Sequence, residues 1–124
     1  MERQEKMRKV VFSGRAWTIV RRQPDSSVDY LLCRTPQGEA VPLFTEESLA
    51  TAFLARAGHE VNGFLDGCEP LMLDGCRIMA AFLMDRVKEA SVTLVAANPT
   101  PNGSDCGDIP IKAVIDAFMK RVNS

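Results

Sequence analysis

The rhythm of apolar and polar positions changes several times along the chain. Val10-Val11-Phe12 and Ala16-Trp17-Thr18-Ile19-Val20 are rich in β-branched and aromatic residues, which suit a pleated, half-buried surface. The polar cluster Gln23-Pro24-Asp25-Ser26-Ser27 reads as a turn, and Val28–Arg34 follows as another strand, so the pair is expected as an antiparallel hairpin. Thr35-Pro36-Gln37-Gly38 fits a type I turn, with Pro in the second position and Gly in the fourth. Glu39–Phe44 is then a third strand. Pro42 cannot donate a backbone hydrogen bond, so this strand is expected at a sheet edge or to end there.

Thr45 begins a helix, because its hydroxyl can cap a first-turn amide and Glu46 and Glu47 sit at the positive end of the dipole. Leu49, Ala52, Phe53 and Ala57 form a stripe at helical spacing, with Gly58 as the stop. Pro70–Leu73 reads as a short buried strand entering the turn Asp74-Gly75. A second helix follows over Cys76–Ala90, capped by Asp74, with Ile78, Met79, Phe82, Leu83 and Val87 on its apolar side. Ser91–Ala97 is a strand apolar enough to be covered on both faces. Strand, helix, strand in this order predicts a crossover between parallel strands. The polar stretch Asn98–Asp108 is a loop. Asp108 caps a last helix that tolerates Pro110 in its first turn and turns Ile111, Val114, Ile115, Phe118 and Val122 inward. The fold class is α+β: a mixed sheet, made of an N-terminal antiparallel meander and a β-α-β unit, with three helices packed on it.

Length and composition narrow the function classes. The 124 residues suffice for one domain, and 46% hydrophobic with 25% charged residues is too apolar for intrinsic disorder. Charge is uneven: Met1–Arg22 carries seven Lys/Arg against Glu2 and Glu5, while the whole chain is formally −1. Residues 1–9 therefore read as a basic N-terminal arm and residues 10–124 as a single domain. The overall balance argues against a dedicated nucleic-acid binder, which leaves RNA contact through the arm as a minor option. No apolar run reaches the roughly 20 residues of a spanning helix, and Met1–Val10 lacks the apolar centre of a signal peptide. The expected setting is cytoplasmic, with no membrane partner.

Candidate chemistry is sparse. Cys33, Cys68, Cys76 and Cys106 form no C-x-x-C pair, and a reducing compartment makes them thiols and small core residues rather than disulfides. His59 is the only histidine and follows Gly58 in an expected connection, without a G-x-S-x-G elbow or a multi-histidine zinc pattern in the chain. Asp-Gly-Cys occurs at Asp66-Gly67-Cys68 and Asp74-Gly75-Cys76, where Asp-Gly is turn chemistry, although Cys76 at a helix start is a candidate reactive thiol. No glycine pattern fits a phosphate site. Met72, Met79 and Met84 read as gap-fillers in the core. Neither a cofactor nor a metal site is expected, and no residue is singled out as catalytic.

Val41-Pro42-Leu43-Phe44-Thr45-Glu46-Glu47-Ser48-Leu49-Ala50, followed by Ala52-Phe53, resembles a signature of the SseB N-terminal-domain-like family of small bacterial proteins. Val92–Ala97 ending in Asn98-Pro99 resembles the Asn-Pro ending of that family's later strand, so the resemblance spans about Ala16 to Pro99. It implies that family's fold, a bacterial cytoplasmic setting and no catalytic residues to carry over. The resulting expectation is a non-enzymatic protein-interaction or accessory module with a protein partner or a second copy of itself. Its contact surface would be Pro42, Phe44, Thr45 and Glu46, because an edge strand can pair with a partner. The alternative is a small-molecule- or metal-binding domain or minor enzyme. Its pocket would lie near Asn98, Pro99, Asp105 and Asp108, at the carboxyl end of a parallel strand.

Overall fold

The computed structural model describes residues 13–35, 38–60, 67–99 and 109–123. In chain order the elements are β1 (Arg15–Arg22), β2 (Val28–Tyr30), β3 (Cys33–Thr35), β4 (Gly38–Leu43), α1 (Glu47–Glu60), β5 (Cys68–Asp74), α2 (Cys76–Ala90), β6 (Leu94–Ala97), β7 (Ile109–Pro110) and α3 (Ile111–Asn123). They form an α+β fold in which one sheet has the order β2-β1-β5 and the other β3-β4-β6-β7. The basic arm, the Val10–Phe12 run and the candidates Asp105, Cys106 and Asp108 lie outside the described residues.

The run from Val28 to Thr35 is divided between the two sheets. Its first part pairs antiparallel with β1 (Val20↔Tyr30, Arg22↔Val28) and its last part antiparallel with β4 (Cys33↔Ala40, Thr35↔Gly38). Leu31 still donates its amide to the Ile19 carbonyl at 3.0 Å before the chain crosses over. The circuit closes where Trp17 and Phe44 exchange backbone hydrogen bonds of 2.9 and 2.8 Å. The hairpin and the meander order thus hold, but one strand serves two sheets.

A parallel pair is present, and its members are β4 and β6 (Ala40↔Leu94 to Leu43↔Ala97). The strand-helix-strand order predicts β5 as the partner of β6. Instead β5 pairs antiparallel with β1 along its whole length, from Arg15↔Asp74 to Arg21↔Cys68. The crossover between the parallel strands therefore runs through α1, β5 and α2. β4 is an inner strand and not an edge, which corrects one of the two expectations drawn from Pro42, while the strand does end close by, at Leu43. β3 pairs only as far as Ala40, so Pro42 sits beyond its last partner and the missing amide breaks no ladder bond. The Pro42 carbonyl instead accepts from the buried Thr18 hydroxyl at 2.9 Å.

Alternation along β1 separates two cores. Ala16 joins the larger one with Val41, Leu43, Val95 and Ala97 from the second sheet, Met79 and Leu83 from α2, and Val114 and Phe118 from α3. Trp17 and Ile19 face the other way, onto Phe44, Ala50 and Phe53, where the two phenylalanine rings meet at 5.5 Å. Burying a side chain such as Phe118 contributes roughly 1.5–3 kcal/mol.

The helices follow their predicted periods with shifts of a residue or two. α1 buries Ala50 and Phe53 but leaves Leu49 and Ala52 exposed, and it continues through Gly58 and His59 to Glu60. Glycine permits a left-handed stop without compelling one. α2 buries Met79, Phe82 and Leu83 while Ile78 is exposed. Of the three methionines expected in the core, only Met79 is there, since Met72 and Met84 are exposed. Pro110 precedes α3 in a two-residue strand paired with β6, and Ile111 donates its amide to the Thr93 carbonyl at 2.9 Å.

Candidate functional site

Residues that the sequence assigns to two different surfaces meet in one joint. β4 and β6 end side by side, and the Asn98 amide donates to the Leu43 carbonyl at 2.8 Å. Asn98 adopts a positive φ of 48°, a region that asparagine tolerates better than most residues. Its Oδ1 accepts from the Thr45 amide at 2.9 Å, and its Nδ2 donates to Thr45 Oγ1 at 3.1 Å. The hydrogen-bonding capacity of Asn98 thus fastens the chain entering α1 to the end of β6. Thr45 is held by Asn98, and the helix begins two residues later at Glu47. Pro99 is buried. The Asn98 side chain expected to line a pocket is thus engaged with Thr45.

The contact surface expected around β4 is mostly internal. Phe44 is 1% exposed and Pro42 is buried, Thr45 is partly buried, and only Glu46 lies open. Their burial follows from the inner position of β4 and from Phe44 packing on Phe53.

Among the described residues, the longest strand at a sheet edge is β5. Trp17 and Ile19 direct their backbone groups toward Phe44 and Leu31. In an antiparallel ladder, successive residues point to opposite sides. Ala16, Thr18 and Val20 are therefore the β1 residues whose backbones face β5, and their register partners Leu73, Leu71 and Glu69 face inward. Pro70, Met72 and Asp74 direct their backbone groups outward, where no strand among the described residues pairs with them. Pro70, which has no amide, falls in the outward phase, so the ladder to β1 is intact. Met72 is 49% exposed and stands opposite Trp17 on the face that carries α1. The sequence signal for this edge was Pro70 inside an apolar run, which marks an edge strand. The expectation of a buried strand passed over it.

Charges flank the edge at both ends. Arg15 Nε lies 3.4 Å from an Asp74 carboxylate oxygen, and Arg22 Nε is paired with Glu69. These pairs are half exposed, so each contributes at most about 1 kcal/mol.

Cys33 is buried in the smaller core, as a thiol in a strand should be, and Cys68 and Cys76 are partly buried and not in disulfides. Asp74 does not cap α2. Gly75 occupies that position at φ 113°, without a side-chain cap bond, and its amide donates to the Gly14 carbonyl at 2.6 Å. Among the described residues, no group of three or more His, Cys, Asp or Glu side chains could hold a metal ion. A cavity of about 250 Å³ opens where the divided strand leaves the first sheet, lined by Arg21, Asp29, Leu31, Leu32, Glu39 and Cys68 among others, and Asn98 has no part in it. Arg21 there lies 3.8 Å from Asp29.

Sequence reading also passed over Arg86. Its guanidinium stacks 4.2 Å from the centre of the Tyr30 ring, and its Nη2 donates to Glu89 at 2.8 Å. The side chain is 12% exposed, and Nε is buried with no hydrogen-bond partner among the described residues. The contact fastens β2 to α2, with Phe82 edge-on to Tyr30 at 5.2 Å.

No family model matches the chain, and no curated protein matches it significantly. Among the described residues, no helix is long and apolar enough to cross a membrane.

Proposed function

We propose that the chain is a protein-interaction module of the SseB N-terminal-domain-like kind and that its binding edge is β5. The observation that carries this reading is the seven-residue edge strand with the exposed Met72. Unpaired strand edges are templates for a further strand, with main-chain bonds supplying affinity and side chains specificity. The two segments that carry the family resemblance support the reading in a second way. They meet at the Asn98–Thr45 joint, so an Asn at the end of one strand and a Thr after the other have a common structural purpose.

Met72→Pro tests the proposal. It removes an outward amide without touching the ladder to β1, so the fold should persist while strand addition is blocked. Protein captured from a lysate by the immobilised chain should be lost with Met72→Pro and retained with Glu46→Ala. Equal capture by both variants would place the interaction away from β5 and overturn the reading.

A further inference from the structure

The cavity of about 250 Å³ sits where one strand serves two sheets. β2 follows β1 as far as Tyr30, and β3 joins β4 from Cys33, so Leu31 and Leu32 span the gap between the sheets. Leu31 packs on the smaller core and Leu32 on the larger, and together they give the cavity its apolar lining. Charge enters from both sheets. Arg21 and Asp29 are register partners on β1 and β2, and Glu39 comes from β4. We propose that this cavity binds a small organic monocation, a primary amine whose ammonium group meets Glu39 and whose apolar body lies on Leu31 and Leu32. None of Pro70, Met72 and Asp74 lines the cavity, so the site stands or falls apart from the interaction reading.

The balance of charge selects a cation. Arg21 Nη2 lies 3.8 Å from Asp29 Oδ2, so the one cation of the lining is compensated by the carboxylate beside it. Gln23 also donates to Asp29. The Glu39 carboxylate has no ion pair or hydrogen bond among the described residues, and it is the charge left over. Size narrows the ligand further. The volume falls below the roughly 300–1,000 Å³ of sites for drug-sized molecules, which suits a ligand of about ten non-hydrogen atoms. An apolar lining with a few convergent polar groups is the arrangement that fixes such a ligand's orientation. An anion would meet Asp29 and Glu39 together, and a neutral molecule would leave Glu39 without a counter-charge.

The test is a backbone-amide NMR titration of the full chain with phenethylamine, phenethyl alcohol and phenylacetate, which share a ring and differ in charge. Phenethylamine should shift the amides of Leu31, Leu32 and Glu39 with a Kd on the order of 1 mM. The alcohol should bind roughly three- to fivefold more weakly, the range of an exposed ion pair, and phenylacetate more weakly still. Glu39→Gln should bring the amine down to the level of the alcohol. Arg21→Gln should do the opposite and tighten the amine, because Asp29 is then released as a second carboxylate. A substitution that merely loosened the fold would weaken all three probes. Absence of shifts at these amides up to about ten times that concentration overturns the inference. Tightest binding by phenylacetate also overturns it, since Arg21 would then be the anchor. So does an amine affinity that Glu39→Gln leaves unchanged.

Discussion

Replacing adjacent residues of β5 by proline separates the inward from the outward side of the strand. Leu71 faces Thr18, which is fully buried, so Leu71→Pro deletes a ladder bond and strands the Thr18 carbonyl in the core. The lost bond costs about 1 kcal/mol and the unsatisfied carbonyl about 1–3 kcal/mol. The shortened side chain removes a further ~1 kcal/mol of packing in the larger core. The sum is roughly 3–5 kcal/mol, a large share of the stability of a small domain. Met72→Pro breaks no ladder bond, repeats a feature already present at Pro70, and gives up a side chain that is half in water, for a cost of about 1 kcal/mol. Urea unfolding followed by circular dichroism measures both, and this signal is preferable to Trp17 fluorescence because Trp17 stands opposite Met72. The two variants should differ by at least about 2 kcal/mol. Equal destabilisation within ~0.5 kcal/mol would refute the assignment of outward and inward positions.

Further predictions follow from the joint and from the stacked arginine. Asn98→Ala loses two side-chain hydrogen bonds and places alanine at positive φ, so it should cost roughly 2–4 kcal/mol, whereas Asn98→Gly keeps the conformation and should cost about 1–2 kcal/mol in the same assay. Arg86→Met keeps the apolar stem over Tyr30 and removes the orphaned Nε, so it should change stability by no more than about 1 kcal/mol. Arg86→Ala empties the stack and should cost about 2 kcal/mol. Hydrogen bonds from the Ser27 hydroxyl and amide hold the Asp25 carboxyl below its ordinary pKa. Its contribution is therefore fully present above the ordinary carboxylate range and is lost as pH falls through the lowered value. An NMR titration of Ser27→Ala should find the Asp25 carboxyl titrating at higher pH than in the native chain.

The sequence makes faces legible more readily than partners. The 3.6-residue period of Met79, Phe82, Leu83 and of Ile111, Val114, Phe118 marks the sides that α2 and α3 bury, because that period is imposed by helix geometry itself. Strand pairing leaves no such local trace. Ser91–Ala97 reads as a doubly covered strand, yet nothing in it says that its parallel neighbour is β4 and not β5. The uninterrupted apolar run Tyr30-Leu31-Leu32-Cys33 conceals a change of sheet, since each half keeps its own alternation. Pro42 and Pro70 show the ambiguity most clearly. Both lack an amide, but one sits past the end of a partner strand inside a sheet and the other on an outer edge, and only the register distinguishes them. Asn98 reads as a loop residue at a strand end, where a ligand would also bind. Its actual partner, Thr45, lies 53 residues away in sequence.

The central claim is that β5 presents an open edge that a second strand completes, and backbone hydrogen exchange resolved at single amides tests it most directly. In the dilute chain the Leu71 and Leu73 amides should be strongly protected and the Met72 and Asp74 amides should exchange quickly. A Met72 amide as protected as Leu71 at the lowest concentration would contradict the account, because the edge would then already be occupied within the chain.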